Sequence, residues 1–269
     1  MDVGLRSPLL DFFRRGEVAK DVRMLAARGA LAPRAHEQVA MLVLLTGDGD
    51  AEIRGAAEAT LAAIPNESLA AFLGRSDVPE AMREFFRGRG VEPAPGESVT
   101  DDPLIDTDPA SGEDVKGGEG AEGGEGDEGQ RQGTSARLAQ MNVAERVKAA
   151  MKGSREERAA LIRDPNKLVS AAVLSSPKVS ESEVTAFAKM ANVSEEVLRI
   201  IGMNRGWVKN YGVVAALVRN PKTPLGVSMN FVQRLNDKDL KLISMDRNLQ
   251  EPLKLAVKKR LTAGPGAKE

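Results

Sequence analysis

Cysteine is absent from the 269 residues, histidine occurs once, and aromatic side chains make up 3%. Without thiols there are no disulfides, thiolate metal sites, iron–sulfur clusters or cysteine nucleophiles. A reducing cytoplasm is the simplest setting for such a chain. The lone His36, between Ala35 and Glu37, has no cysteine or second histidine to complete a zinc site. It reads as a surface or helix-capping residue. No Gly-x-Ser-x-Gly elbow accompanies a strand pattern, so serine–histidine chemistry has no support. Asp48, Asp50 and Glu52 begin like a calcium loop, but Ile53 stands where glycine is needed and Ala59 where glutamate is needed. The longest strongly apolar run, Val39 to Leu45, is far short of the ~20 residues of a membrane helix. The start, Met1-Asp2-Val3-Gly4-Leu5-Arg6, lacks a basic stretch leading into an apolar one. These absences lead us to expect a soluble, cytoplasmic protein that is not an enzyme, with no catalytic residue, cofactor, metal, membrane partner or small-molecule substrate.

What the chain has in quantity is Ala, Leu, Val and Met, which suit closely packed helices better than sheets. Charge is segregated. Residues 1–96 carry 12 positive and 14 negative side chains, residues 97–133 carry 2 and 12, and residues 134–269 carry 24 and 13. Net charges of −2, −10 and +11 follow, an asymmetry that bears on partners rather than on fold.

A short phrase repeats. Arg219-Asn220-Pro221-Lys222-Thr223-Pro224-Leu225 returns 28 residues later as Arg247-Asn248-Leu249-Gln250-Glu251-Pro252-Leu253. Ala171-Ala172, with Pro177-Lys178 and Phe187, returns 44 residues later as Ala215-Ala216, Pro221-Lys222 and Phe231. Self-similarity of this kind marks stacked supersecondary units. The unequal intervals leave the register of individual helices open.

Helix signals divide the chain into an N-terminal helical lobe at 1–90, an acidic linker at 91–135, a basic helical lobe at 136–262 and a disordered tail at 263–269. In the first lobe, 37–45 and 52–64 are apolar at helical spacing, separated by a turn in which Asp48 or Asp50 caps the next helix. Pro79 suits the first turn of a helix over 80–86. The linker alternates glycine with Glu and Asp and cannot bury enough apolar surface to order itself. Its apolar pair Leu104-Ile105 reads as chance rather than as a docking motif. In the basic lobe Asn142-x-x-Glu145, Ser154-x-x-Glu157 and Ser180-x-x-Glu183 fit the capping box, and Thr223 places a capping hydroxyl before Pro224.

Asp48-Gly49-Asp50-Ala51-Glu52-Ile53-Arg54, leading into Ala56-Ala57-x-x-Thr60-Leu61, resembles the second-helix start of a HEAT repeat over roughly one repeat. That resemblance implies that Asp48 and Arg54 bond between neighbouring repeats. Asp164-Pro165-Asn166-Lys167-Leu168-Val169-x-Ala171-Ala172 with Ser176-Pro177-Lys178 resembles the leucine-rich repeat variant, as does 217–225, where Asn220–Pro224 matches well. At 176–180 Ser180 replaces the expected proline, and at 247–253 only Arg-Asn and Pro-Leu remain. The resemblance covers about 100 residues. It implies a curved solenoid of alternating helices, usually without catalysis. The iron–sulfur cluster known in that family needs cysteines and does not carry over.

The expected fold is therefore all-α, with two solenoid lobes joined by a disordered acidic linker. The leading functional reading is a scaffold that binds another protein, and the second is a nucleic-acid binder using a basic groove. HEAT-like solenoids include DNA-binding enzymes, so a repair-type activity is a distant third. The candidate surface comprises Arg205, Trp207, Lys209, Tyr211, Arg219, Lys222, Arg247, Lys254 and Lys258. On a helix, residues two apart diverge by about 200°, so Trp207, Lys209 and Tyr211 form one platform only in a loop. Ala171, Ala172, Ala215 and Ala216 mark expected close approaches between helices, where a large residue at 216 should cost ~1–3 kcal/mol. The acidic linker could also occupy the basic groove in cis, in which case removing 97–133 would strengthen anion binding.

Overall fold

The computed structural model describes residues 7–32, 34–94, 101–105 and 128–262. Most of the acidic stretch, and the tail expected at 263–269, lie outside these residues. Among the described residues the regular structure is all helical, with sixteen α-helices, two 3-10 turns and no strand. The chain divides into two compact units. One holds 1–158 with 175–177, and the other holds 159–174 with 178–269. The composition break at 135/136 falls inside the first.

The first unit contains α1 (Pro8–Arg14), α2 (Lys20–Ala27), α3 (Ala35–Leu45), α4 (Ala51–Ala63), α5 (Asn66–Leu73) and α6 (Glu80–Arg87). It also contains α7 (Glu128–Gln140), which starts inside the span read as linker, and α8 (Val143–Lys152). Helix α9 (Arg155–Leu161) crosses into the second unit. Buried residues lie all round α3, from Ala35 to Val43 and at Leu45, as expected of a helix surrounded by others. It packs on α1, α2 and α4, and α2 packs on α4.

A second recurrence, shorter than the repeated phrase, runs through this unit. The third and fourth residues of α2, α4 and α6 are Val22-Arg23, Ile53-Arg54 and Met82-Arg83, at steps of 31 and 29 residues. The apolar member is fully buried each time. The arginine bonds a loop. Arg54 Nη1 donates to the carbonyls of Asp48 (2.7 Å) and Gly49 (3.0 Å), and Arg83 donates to those of Leu73 and Arg75. Arg23 Nη1 lies 2.6 Å from both oxygens of the Asp48 carboxylate. The partner of the Asp48 side chain is thus Arg23, while Arg54 serves the backbone of the same turn.

Two sequence expectations need correction here. His36 is neither exposed nor a cap. It is 8% exposed, edge-on to Phe72 with ring centroids 4.9 Å apart, and its Nδ1 lies 2.9 Å from Asp101 Oδ1. The sequence shows nothing of this because the partners are 36 and 65 residues away. The Leu104-Ile105 pair is not idle either. The Gln38 side chain accepts from Ile105 N–H at 3.1 Å and donates to Ile105 O at 2.7 Å.

Glu37 is buried beside these residues, and burial raises its carboxyl above the ordinary range, against a hydrogen bond from Ser7 that lowers it. The folded chain therefore holds this proton more tightly than the unfolded one. Stability falls as pH rises from the unfolded value of ~4.3 through the raised folded value. Glu37→Gln should melt higher than the parent at pH 7, with the difference shrinking toward pH 4. A constant difference would mean that the carboxyl does not titrate with folding.

The second unit contains α10 (Lys167–Ser175, its last residue belonging to the first unit), α11 (Glu181–Lys189), α12 (Glu195–Met203) and α13 (Tyr211–Arg219). It continues through α14 (Leu225–Phe231), α15 (Asp237–Met245) and α16 (Glu251–Thr262). Helix α11 packs on α13 and α13 on α15, while α12 packs on α14 and α14 on α16. Helix starts recur every 12 to 16 residues. The 44-residue interval steps over three helices, since α10 and α13 start 44 residues apart. The 28-residue interval is not a structural one. The capping residues Asn220 and Asp246 stand 26 apart and form the same turn, accepting from the N–H two residues on. In that register buried Thr223 matches buried Leu249.

All three capping boxes form. The Thr223 hydroxyl does not cap α14. It is 2% exposed and donates back to Leu217 O at 2.6 Å, closing the end of α13. Pro224 occupies the cap position of α14.

Helices α12 and α14 approach over a glycine. A Cβ at Gly202 would stand 2.4 Å from Val227 Cγ1. Alanine there would gain ~1 kcal/mol of helix propensity, but a branched side chain cannot yield that far cheaply. Gly202→Ala should cost ~1–3 kcal/mol net, and Val227→Ala in the double variant should recover part of it. Additive losses in urea unfolding would show that the two residues do not meet.

Candidate interaction surface

Helix α13 displays Tyr211, Ala215 and Arg219 at i, i+4 and i+8, one stripe of its surface. With Gly212 and Ala216 beside them, the small residues make a floor. Lys189 and Ala191 from the end of α11 form one wall, and Asp239 of α15, with Asn220 and Pro221, completes a cleft of about 410 Å³. All of it lies in the second unit.

Asp239 organises the mouth. Its carboxylate accepts from the Tyr211 hydroxyl through one oxygen and from Arg219 Nη2 through the other. The Tyr211 oxygen also accepts from Asn236 N–H at 3.2 Å. Desolvation, helped by the Asp239 carboxylate, raises the Tyr211 pKa, so the phenol stays protonated and donating. Lys189 has no ion-pair partner among the described residues. Two cations therefore face one carboxylate.

A second cleft adjoins through Pro221. Val193, Ser194 and Glu195 line it on one side, and Lys222, Thr223, Pro224, Leu225 and Gln250 line it on the other. Lys222 Nζ reaches Val193 O at 3.4 Å.

Of the sequence candidates, the structure brings Tyr211 and Arg219 together and sets Lys222 in the adjoining cleft. Arg205, Trp207 and Lys209 precede α13. Trp207 and Lys209 lie in a 3-10 turn, with Trp207 half-buried and the two cations exposed. They line neither cleft. Arg247 and Lys258 are exposed, and Lys254 pairs with Glu251 at 2.6 Å. Sequence reasoning missed Lys189 and Asp239, because their place depends on which helices adjoin. Ala215 and Ala216, expected at close approaches between helices, are 8% and 4% exposed and line the cleft.

The large apolar side chains that remain exposed among the described residues also gather in this unit, namely Met203, Tyr211, Met229, Leu242, Met245 and Leu255. Leu242 and Met245 share a face of α15. No group of three or more His, Cys, Asp or Glu among the described residues could hold a metal ion. No helix among them is long and apolar enough to cross a membrane. In comparison with known proteins, the chain matches no family model, no curated protein and no solved structure.

Proposed function

We propose that this chain is a non-enzymatic helical-repeat scaffold whose second unit binds an extended acidic segment of a partner protein. The observation that carries this reading is the α11–α13–α15 cleft, which has a small-residue floor, the cations Lys189 and Arg219, and a tyrosine and carboxylate at its mouth. The two series of packed helices support an α-solenoid of the HEAT or leucine-rich-repeat-variant kind. Exposed Met and Leu side chains supply adaptable apolar contact beside the charged cleft. The acidic stretch of the chain itself is the built-in competitor in this proposal, at an effective concentration set by its length.

The test is fluorescence anisotropy with a labelled synthetic peptide of residues 111–128, at low and physiological salt. The full chain is compared with a variant lacking 106–127. The shortened chain should bind more tightly, and Ala215→Leu, which fills the floor, should weaken binding at least tenfold. Equal binding by the two chains would remove the competitor. Binding unchanged by Ala215→Leu would move the site elsewhere.

Nucleic-acid binding is the second reading, favoured by Arg205, Lys209, Arg247 and Lys258, which are exposed and have no ion-pair partner among the described residues. Labelled single- and double-stranded oligonucleotides in the same assay separate the two. Phosphate-driven affinity falls steeply with salt and would be insensitive to Ala215→Leu.

A further inference from the structure

The strongest unassigned feature lies in the first unit, where five residues of the acidic stretch are held against α3. Gln38, 1% exposed, uses its whole amide. It donates to Gly29 O at 3.0 Å and to Ile105 O at 2.7 Å, and accepts from Ile105 N–H at 3.1 Å. A side-chain amide that pairs with both backbone groups of one residue does what a neighbouring strand does, and it reads the backbone of an extended segment. Four residues earlier, the Asp101 carboxylate is gripped through Oδ1 by His36 Nδ1 (2.9 Å) and Arg75 Nη1 (3.4 Å), while its carbonyl accepts from Ala35 N–H at 3.0 Å.

The grip is itself braced. Arg75 is fixed by two bonds to Asp77, at 3.0 and 2.9 Å, and His36 is walled by Phe72. By contrast, the segment it holds is not core. Asp102 is exposed, and Asp101, Pro103, Leu104 and Ile105 are half-buried. A built, buried receptor holding a lightly buried segment is the arrangement of a binding site with its ligand.

We propose that the first unit carries a peptide-recognition site, formed by His36, Gln38 and Arg75 beside the start of α3. It takes an extended segment with a carboxylate four residues before a branched apolar residue. In this chain the site is filled in cis by Asp101–Ile105, so a partner peptide of that chemistry binds by displacing it. The site is separate from the second unit's cleft, and either can exist without the other.

The probe is a labelled ten-residue peptide with the sequence of 99–108. It is titrated against the full chain and against a full chain carrying Asp101→Ala and Ile105→Pro, which remove the carboxylate and the N–H that the site reads. Binding to the altered chain should be at least tenfold tighter, because the tethered competitor is gone. The peptide bearing the same two changes should lose at least tenfold in affinity for that chain. Absence of binding, or equal binding of both peptides, would overturn the site. The parent chain gives an independent reading through amide exchange at Ile105. It should be slowed at least tenfold relative to the free peptide, and exchange at the free-peptide rate would also overturn the proposal.

Discussion

Phe72→Ala should lower the stability of the first unit by ~3–5 kcal/mol. Phe72 is fully buried. Its removal forfeits the transfer of the ring from water and leaves a cavity between rigid helices, and those two contributions add. In a unit of this size each kcal/mol moves the melting point by ~2–4 °C, so a fall of roughly 10 °C is expected. The ring also walls His36 edge-on, and the Arg75 guanidinium sits 6.0 Å from its centroid. The cavity therefore opens under the two donors that hold Asp101. Amide exchange should accelerate in α3 and α5, and at Ile105 by a larger factor. Phe72→Leu, which keeps most of the volume, should cost under ~1.5 kcal/mol. A loss below ~1 kcal/mol for Phe72→Ala would mean that the helices collapse onto the vacated space. The His36 contact would then be incidental.

Most of the local structure was legible in the sequence, and most of the long-range structure was not. The helices over 37–45 and 52–64, the cap at Asp50 and three capping boxes follow from residues within four positions of each other, where periodicity and capping chemistry act. Thr223 misled because a hydroxyl before a proline has two backbone groups in reach, and the carbonyl behind it won. The Val-Arg, Ile-Arg and Met-Arg pairs of α2, α4 and α6 went unseen because two-residue matches are common by chance. Only burial and bonding give them meaning. The cleft and the Asp101 grip were out of reach altogether. Lys189 and Asp239 share a site through three helices, and His36 meets Asp101 across 65 residues. Such meetings depend on which helices adjoin, and local propensity carries no record of that.

The repeated phrase itself has a physical explanation that yields the second large effect. Asn220 ends α13, is 5% exposed, and donates from Nδ2 to Ala188 O and Met190 O at the end of α11, both at 2.9 Å. Its Oδ1 accepts from Lys222 N–H at 3.0 Å, which sets the turn. One side chain thus satisfies two orphan carbonyls of a neighbouring helix and shapes its own loop. Ser176, the matching residue 44 positions earlier, donates from its hydroxyl to Met151 O at 2.7 Å. At ~1 kcal/mol per bond, with the desolvation of carbonyls left unpaired added, Asn220→Ala should cost ~2–4 kcal/mol. Asn220→Asp should be no better than alanine, because a carboxylate facing two carbonyls repels where the amide donated. Trp207 lies in the same unit as Asn220, so its fluorescence in urea reads the loss directly. If Asn220→Ala costs under ~1 kcal/mol, the bonds to α11 contribute nothing and the residue serves its turn alone. If the full cost is seen, Asn220 ties α13 to α11, the helix on which it packs. The cleft floor on α13 would then owe its position beside Lys189 to that tie.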